Sequence, residues 1–163
     1  MKLFQNLFAK EDHSMEIVAP VSGKLVSIQE VNDPAFSDEV LGKGVAIVPT
    51  SGRICAPVDG TVSTVFPTGH AVAMTSGKGV EILVHIGLDT VKLEGRHFKI
   101  HASEGQEVKK GDLLLEADLE QIRAEGYDIA TPVVICNSDD YSKFRITEPG
   151  EVSQGDVILA LEK

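Results

Sequence analysis

From about residue 15 onward, short apolar runs alternate with turn residues at brief intervals. The runs are "EIVA", "KLVSI", "VAIV", "TVSTVF", "AVAM", "VEILVHI", "TVKL", "LLLEA", "PVVIC" and "VILAL", most of them bounded by Gly, Pro, Asp or Ser. They predict strands, because β-branched side chains pack well on a pleated surface and the flanking residues suit turns. "DLEQIRAEG" departs from the pattern, with Asp118 at an N-cap position, Gln121 three residues later and Gly126 as a stop. It predicts a short helix. Residues 1–14 read as a separate, flexible N-terminal segment ahead of one domain over 15–163. If helical, this segment carries Leu3, Phe4, Leu7 and Phe8 on one apolar stripe. A frayed terminus fits, and so does a weak membrane-surface contact through residues 1–10, helped by Lys2 and Lys10.

The pattern also repeats. "APVSGKLVSI" at 19–28 returns as "APVDGTVSTV" at 56–65, and "GKGVAI" at 42–47 returns as "GKGVEI" at 77–82. The same two phrases in the same order, about 36 residues apart, indicate an internal duplication. Downstream, "GQEVKKGDLLLE" at 105–116 and "GEVSQGDVILAL" at 150–161 each place turn chemistry before Gly-Asp and an apolar strand. The fold expected is all-β: an antiparallel β-sandwich or flattened barrel with internal duplication and one or two short helices.

Composition narrows the function classes. In 163 residues the formal charge is −10, and Trp is absent. One core built from Val, Ile, Leu and Ala follows. A negative field repels phosphate backbones, which argues against nucleic-acid binding. Cys55 and Cys136, far apart in a chain without a signal peptide, read as free thiols of a cytoplasmic protein. No apolar run reaches the length of a membrane span.

The candidates for chemistry are histidines. In a strand, Ile82, Val84 and Ile86 share one face while Glu81, Leu83 and His85 share the other. Pattern alone leaves His85 open between a packed structural ring and a reactive one. Aligning the repeats sets His85 opposite Thr50 and His70 opposite Asp33, so the scaffold itself does not call for histidine at either place. Thr68 shares the parity of His70 and is placed to hydrogen-bond its ring. His97 and His101 in "HFKIH" have the i, i+4 spacing of some zinc helices, but alternation there predicts a strand with solvent-facing rings. "SGKG" lacks the rest of a phosphate loop, CxxC, GxSxG and GxGxxG are absent, and Asp139-Asp140 reads as a turn.

"GVEILVHIGLDTV" at 79–91 resembles the IIA component of the glucose family of the bacterial sugar phosphotransferase system. Gly79, the apolar trio Ile82-Leu83-Val84, His85, Ile86, Gly87, Leu88, Thr90 and Val91 meet every position of that family's signature. "IVAPVSG", "DPAF", "GKGVAIVP", "APVDGTV", "FPTGHA", "EGQEVKKGD" and "GEVSQGD" extend the resemblance over roughly residues 15–163. Gly69 and His97 are local departures.

The resemblance implies a phosphotransferase component in which His85 receives a phosphoryl group from HPr and passes it to a IIB domain. It implies that His70 steadies the group and that Thr68 orients His70. No cofactor is required, although His70 and His85 with a partner's carboxylate form a candidate zinc site. An accessible apolar patch of Phe36, Val40, Val45, Phe66 and Leu83, with Gly87 opening the approach, would dock partners. Of these, Leu83 and Phe36 are the ones expected to be exposed. Asp33 and Asp89 would form an acidic rim facing basic partner residues. The absence of a linker at either end suggests a free-standing carrier with regulatory targets as further partners. Two alternatives stand beside it: a regulatory docking protein of the same fold, and a lipoyl- or biotinyl-type carrier similar at "EVKKGDLLLEAD" but without an "MKM"-like turn.

Overall fold

The alternating runs become antiparallel ladders in a computed structural model that describes residues 15–163. The amphipathic-helix reading of residues 1–14 lies outside the described residues. In chain order the strands are β1 (Met15–Val18), β2 (Gly23–Ser27), β3 (Lys43–Pro49), β4 (Arg53–Cys55), β5 (Gly60–Val65), β6 (Ala71–Ser76) and β7 (Glu81–His85). There follow β8 (Phe98–Ile100), β9 (Glu107–Val108), β10 (Leu113–Ala117), β11 (Thr131–Ile135), β12 (Lys143–Ile146), β13 (Gly150–Val152) and β14 (Val157–Glu162). Two short helices interrupt them: α1 (Pro34–Ser37) and α2 (Leu119–Ala124). Asp118 caps α2 as expected, its carboxylate accepting from the Gln121 N–H at 3.2 Å.

An eight-stranded sheet runs β13-β2-β3-β11-β7-β6-β5-β9, and two three-stranded sheets, β1-β14-β12 and β4-β10-β8, complete the sandwich. The duplication is visible in this order. β13 extends the sheet beside β2 just as β9 extends it beside β5. β1 pairs with β14 and β4 with β10. The turns match bond for bond. Ala19 donates to the Asp156 carbonyl at 2.7 Å and accepts from Gly155 at 3.0 Å, while Ala56 donates to Asp112 at 2.8 Å and accepts from Gly111 at 3.0 Å. The halves are tied reciprocally, by Val18 N–H to the Pro57 carbonyl at 3.0 Å and Cys55 N–H to the Pro20 carbonyl at 2.8 Å.

Between the sheets lies the main core, with Ile17, Ile47, Ile54, Met74, Ile82 and Ile135 among its fully buried side chains. A second, smaller cluster lies on the opposite face of β3 and β11. Here Ile28, Val31 and Phe36, from the segment carrying α1, cover Ala46, Val134 and Leu88. β3 and β11 are therefore buried on both faces. Pro132 is tolerated in β11 because the ladder to β7 begins only at Val133, leaving no bond for the missing N–H to make.

One strand expectation is corrected. "TVKL" is a turn of 3₁₀ helix, Thr90–Leu93, entered through Asp89 at φ +60°. The Thr90 hydroxyl donates back to the Ile86 carbonyl at 2.6 Å. That local side-chain bond outweighs the strand preference of the Thr-Val pair. "HFKIH" does contain a strand, β8, and Asp139-Asp140 does lie in a turn.

Candidate active site

Strand pairing brings two histidines together that lie far apart in the repeat pattern. His85 ends β7, opposite Ala71 at the start of β6, so His70 stands next to it at the same edge of the sheet. A backbone bond from Ile86 N–H to the His70 carbonyl, 2.7 Å, fixes the two chains at this point. The ring centroids are 5.1 Å apart and nearly perpendicular, at 77°. Each ring leans on its own phenylalanine: Phe36 is 5.1 Å from His85, and Phe66 is 5.3 Å from His70.

The hydrogen bonds decide which nitrogens can react. His85 Nδ1 lies 2.7 Å from the Gly87 carbonyl, which can only accept, so Nδ1 carries the proton and Nε2 keeps its lone pair. Thr68 Oγ1 lies 2.6 Å from His70 Nδ1. With the hydroxyl donating, His70 Nδ1 accepts and the proton moves to Nε2. His85 then offers a nucleophile, and His70 offers a donor beside it.

Both rings are neutral at neutral pH. Burial pushes the His70 pKa down to about 4, and the nearby His85 adds to the effect. Burial also lowers His85, opposed by its bond to Gly87 and by the charges of Asp33 and Asp89. A neutral imidazole beside two carboxylates is a nucleophile that need lose no proton first.

Residues 15–141 match the family described as phosphoenolpyruvate-dependent sugar phosphotransferase system, EIIA 1. The chain belongs to this family. It is 45% identical over 167 residues to the glucose-specific EIIA component of Haemophilus influenzae, covering all of both chains. It is 49% identical over 154 residues to the β-glucoside-specific EIIBCA component of Bacillus subtilis; that match takes 94% of this chain and 25% of that protein. The chain thus spans about a quarter of the length of such multidomain relatives. The glucose permease IIA of Mycoplasma capricolum has a similar structure, with a TM-score of 0.87 at 39% identity over 92% of this chain and 97% of that one. Family membership makes this IIA component a phosphotransferase part of the system and sets aside the lipoyl- or biotinyl-carrier alternative.

The residues of this IIA domain expected to form a docking patch differ widely in exposure. Val40 is 72% exposed, and Leu41, not anticipated, is 41% exposed beside it. Phe66 and Leu83 are half-buried. Phe36 is buried at 3% exposure, so it supports the His85 ring and presents no surface. Val45 is 1% exposed in the main core and takes no place on a docking face. Gly87 is buried too. It opens no approach for a partner: at φ +77° its Cα is packed by the Thr90 methyl and the Asp128 carbonyl, where an added Cβ would lie 2.6 and 2.9 Å from them. Its use is internal, holding His85.

The acidic pair also divides. Asp89 is exposed. Asp33 caps α1 with a 3.0 Å bond to the Ala35 N–H while its charge reaches His85. His97 and His101 are kept from the site by carboxylates of their own, Glu125 and Glu116. Thr90 was missed as a site residue. Its place in the signature was visible, but the buried bond of its hydroxyl to the Ile86 carbonyl exists only in the folded chain.

Proposed function

We propose that this IIA domain carries a phosphoryl group on Nε2 of His85, accepted from phospho-HPr and handed to a IIB domain. The observation that carries the reading is the bond from His85 Nδ1 to the Gly87 carbonyl, which leaves Nε2 as the free base next to His70. In the step, the Nε2 lone pair bonds to phosphorus as the bond between phosphorus and the donor breaks, and the released electron pair stays with the donor. The proton on Nδ1 remains, and its bond to Gly87 is compatible with the imidazolium-like charge of the phosphorylated ring. His70 Nε2–H then donates to a phosphoryl oxygen. Positioning and donated hydrogen bonds are what such a transfer chiefly needs.

The exposed Val40 and Leu41, with half-buried Phe66 and Leu83, support a transient docking face, and Asp89 with Asp33 supports attraction of basic partner residues. Fusion of like domains to IIB and IIC in EIIBCA relatives supports a IIB domain as the acceptor. Among the described residues no helix is long and apolar enough to cross a membrane, which accords with a cytoplasmic carrier. Zinc bound by both Nε2 atoms would need a partner's carboxylate, because no group of three or more metal-binding side chains occurs among the described residues. Regulatory docking remains a further role compatible with the same face.

The test is incubation with phosphoenolpyruvate, enzyme I and HPr, followed by intact-mass measurement. One acid-labile phosphoryl group is expected on the wild type and none on His85→Ala. Equal gain by both proteins, or none by the wild type, sinks the carrier reading.

A further inference from the structure

The bond that frees Nε2 depends on a carbonyl whose direction must itself be fixed. Gly87 sits at φ +77° and Asp89 at φ +60°, so the turn after β7 twice uses the left-handed region. Such a turn has several near alternatives unless other groups determine it. Three contacts do so here. Ile86 N–H is held by His70, Leu88 N–H donates to the Asp128 carbonyl at 2.9 Å, and the Ile86 carbonyl accepts the Thr90 hydroxyl at 2.6 Å. Thr90 is fully buried, and its methyl lies against the bare Cα of Gly87.

One side chain thus closes the turn at both points. Its hydroxyl anchors the peptide entering Gly87, and its methyl blocks rotation of the peptide leaving it. Held in this way, Gly87 aims its carbonyl at His85 Nδ1.

We propose that Thr90 is a positioning residue for phosphoryl acceptance: it holds the Gly87 carbonyl on His85 and so keeps the ring in the Nδ1–H form. Thr90 touches no reacting atom. Without its hydroxyl the buried Ile86 carbonyl loses its donor, the turn relaxes, and the two ring tautomers compete. A ring with its proton on Nε2 presents no lone pair there. The proposal rests on the carrier reading for its kinetic consequence only, since the tautomer belongs to the resting protein.

The test compares Thr90→Ser, which keeps the hydroxyl, with Thr90→Val, which keeps the shape, and Thr90→Ala, which keeps neither. Imidazole ¹⁵N shifts at a pH where both histidines are neutral report the His85 tautomer, and stopped-flow mixing with phospho-HPr reports the acceptance rate. Wild type is expected to show the Nδ1–H form. Thr90→Val and Thr90→Ala should show a mixed population and accept about 10- to 100-fold more slowly, with Thr90→Ser restoring most of both readouts. If Thr90→Val fails to fold, Thr90→Ala and Thr90→Ser decide between themselves. A wild-type tautomer in folded Thr90→Val or Thr90→Ala overturns the proposal, as does a Ser variant no better than Ala. A shifted tautomer with undiminished acceptance also overturns it, while leaving the carrier reading standing. If wild type accepts no phosphoryl group, the carrier reading fails and the shift measurement still judges Thr90.

Discussion

The two halves of the molecule share their edges and turns but part company between the "APV" strand and the "GKG" strand. In the first half, residues 28–42 form a 3₁₀ turn and α1, which lie over the sheet and bury Phe36. In the second, a tight loop carries Thr68 and His70 straight into an added strand, β6. His85 stands where these unlike pieces meet, with Phe36 from one half and His70 from the other at similar distances. The duplicated parts form the frame, and the paired histidines lie where the copies stop matching. The following tests ask whether that division is real.

The largest effect concerns acid. Burial holds His70 near a pKa of about 4 in the folded protein, below its ordinary value of 6.5. Between those values the unfolded chain binds a proton that the folded one refuses. Stability linked to His70 is thus fully present above pH 6.5 and lost as pH falls toward 4, on the order of 3 kcal/mol in all. The burial of His85 acts in the same direction. We expect His70→Gln to lose less stability than wild type in urea titrations between pH 7 and pH 4. Parallel losses in the two proteins would mean that the buried ring is not the acid-sensitive element. The same variant should still accept phosphate on His85 yet pass it to IIB about 100-fold more slowly, equivalent to about 2.7 kcal/mol. Unchanged onward transfer removes His70 from the mechanism.

Next in size is a contrast between two glycines, both at positive φ and both from the second repeat. Gly87→Ala places a methyl against Thr90 and the Asp128 carbonyl in a left-handed backbone, whereas Gly79→Ala at φ +90° meets nothing within 4 Å. The first should cost about 2 kcal/mol or more and slow phosphoryl acceptance; the second should cost about 1 kcal/mol and leave acceptance alone. Equal effects would show that backbone strain alone matters and that the packing around Gly87 does not.

These residues also show what the sequence could carry. Alternation placed Glu81, Leu83 and His85 together on the outer face of β7, and burial follows that pattern. The repeats were legible, and so was α2 from its Asp118 cap. Val45 points into the main core, while Phe36 packs over Ala46 on the outer face of β3, so "GVAI" is buried on both faces and alternation there carries no sign of which side meets solvent. The Asp-Pro pair at 33–34 is a cap followed by proline in the first turn, a local signal for α1, but it cannot say what the helix will cover. Gly87 was read as an opening because a missing side chain looks the same whether a partner or the protein itself fills the space.

The smallest effect falls where the first half meets solvent. Val40 follows α1 and is 72% exposed, so it contributes little to folding, while Val91 of the second half's 3₁₀ turn, at 52%, is its nearest match in character. A surface valine that matters to neither half should be indifferent to substitution in every assay. If α1 exists to present a docking face as well as to support His85, Val40→Ser should change stability by no more than about 0.5 kcal/mol and still raise the apparent KM for phospho-HPr several-fold with kcat retained. An unchanged KM would remove Val40 from the docking face and leave Leu41 as the first half's exposed apolar candidate beside Phe66 and Leu83 of the second.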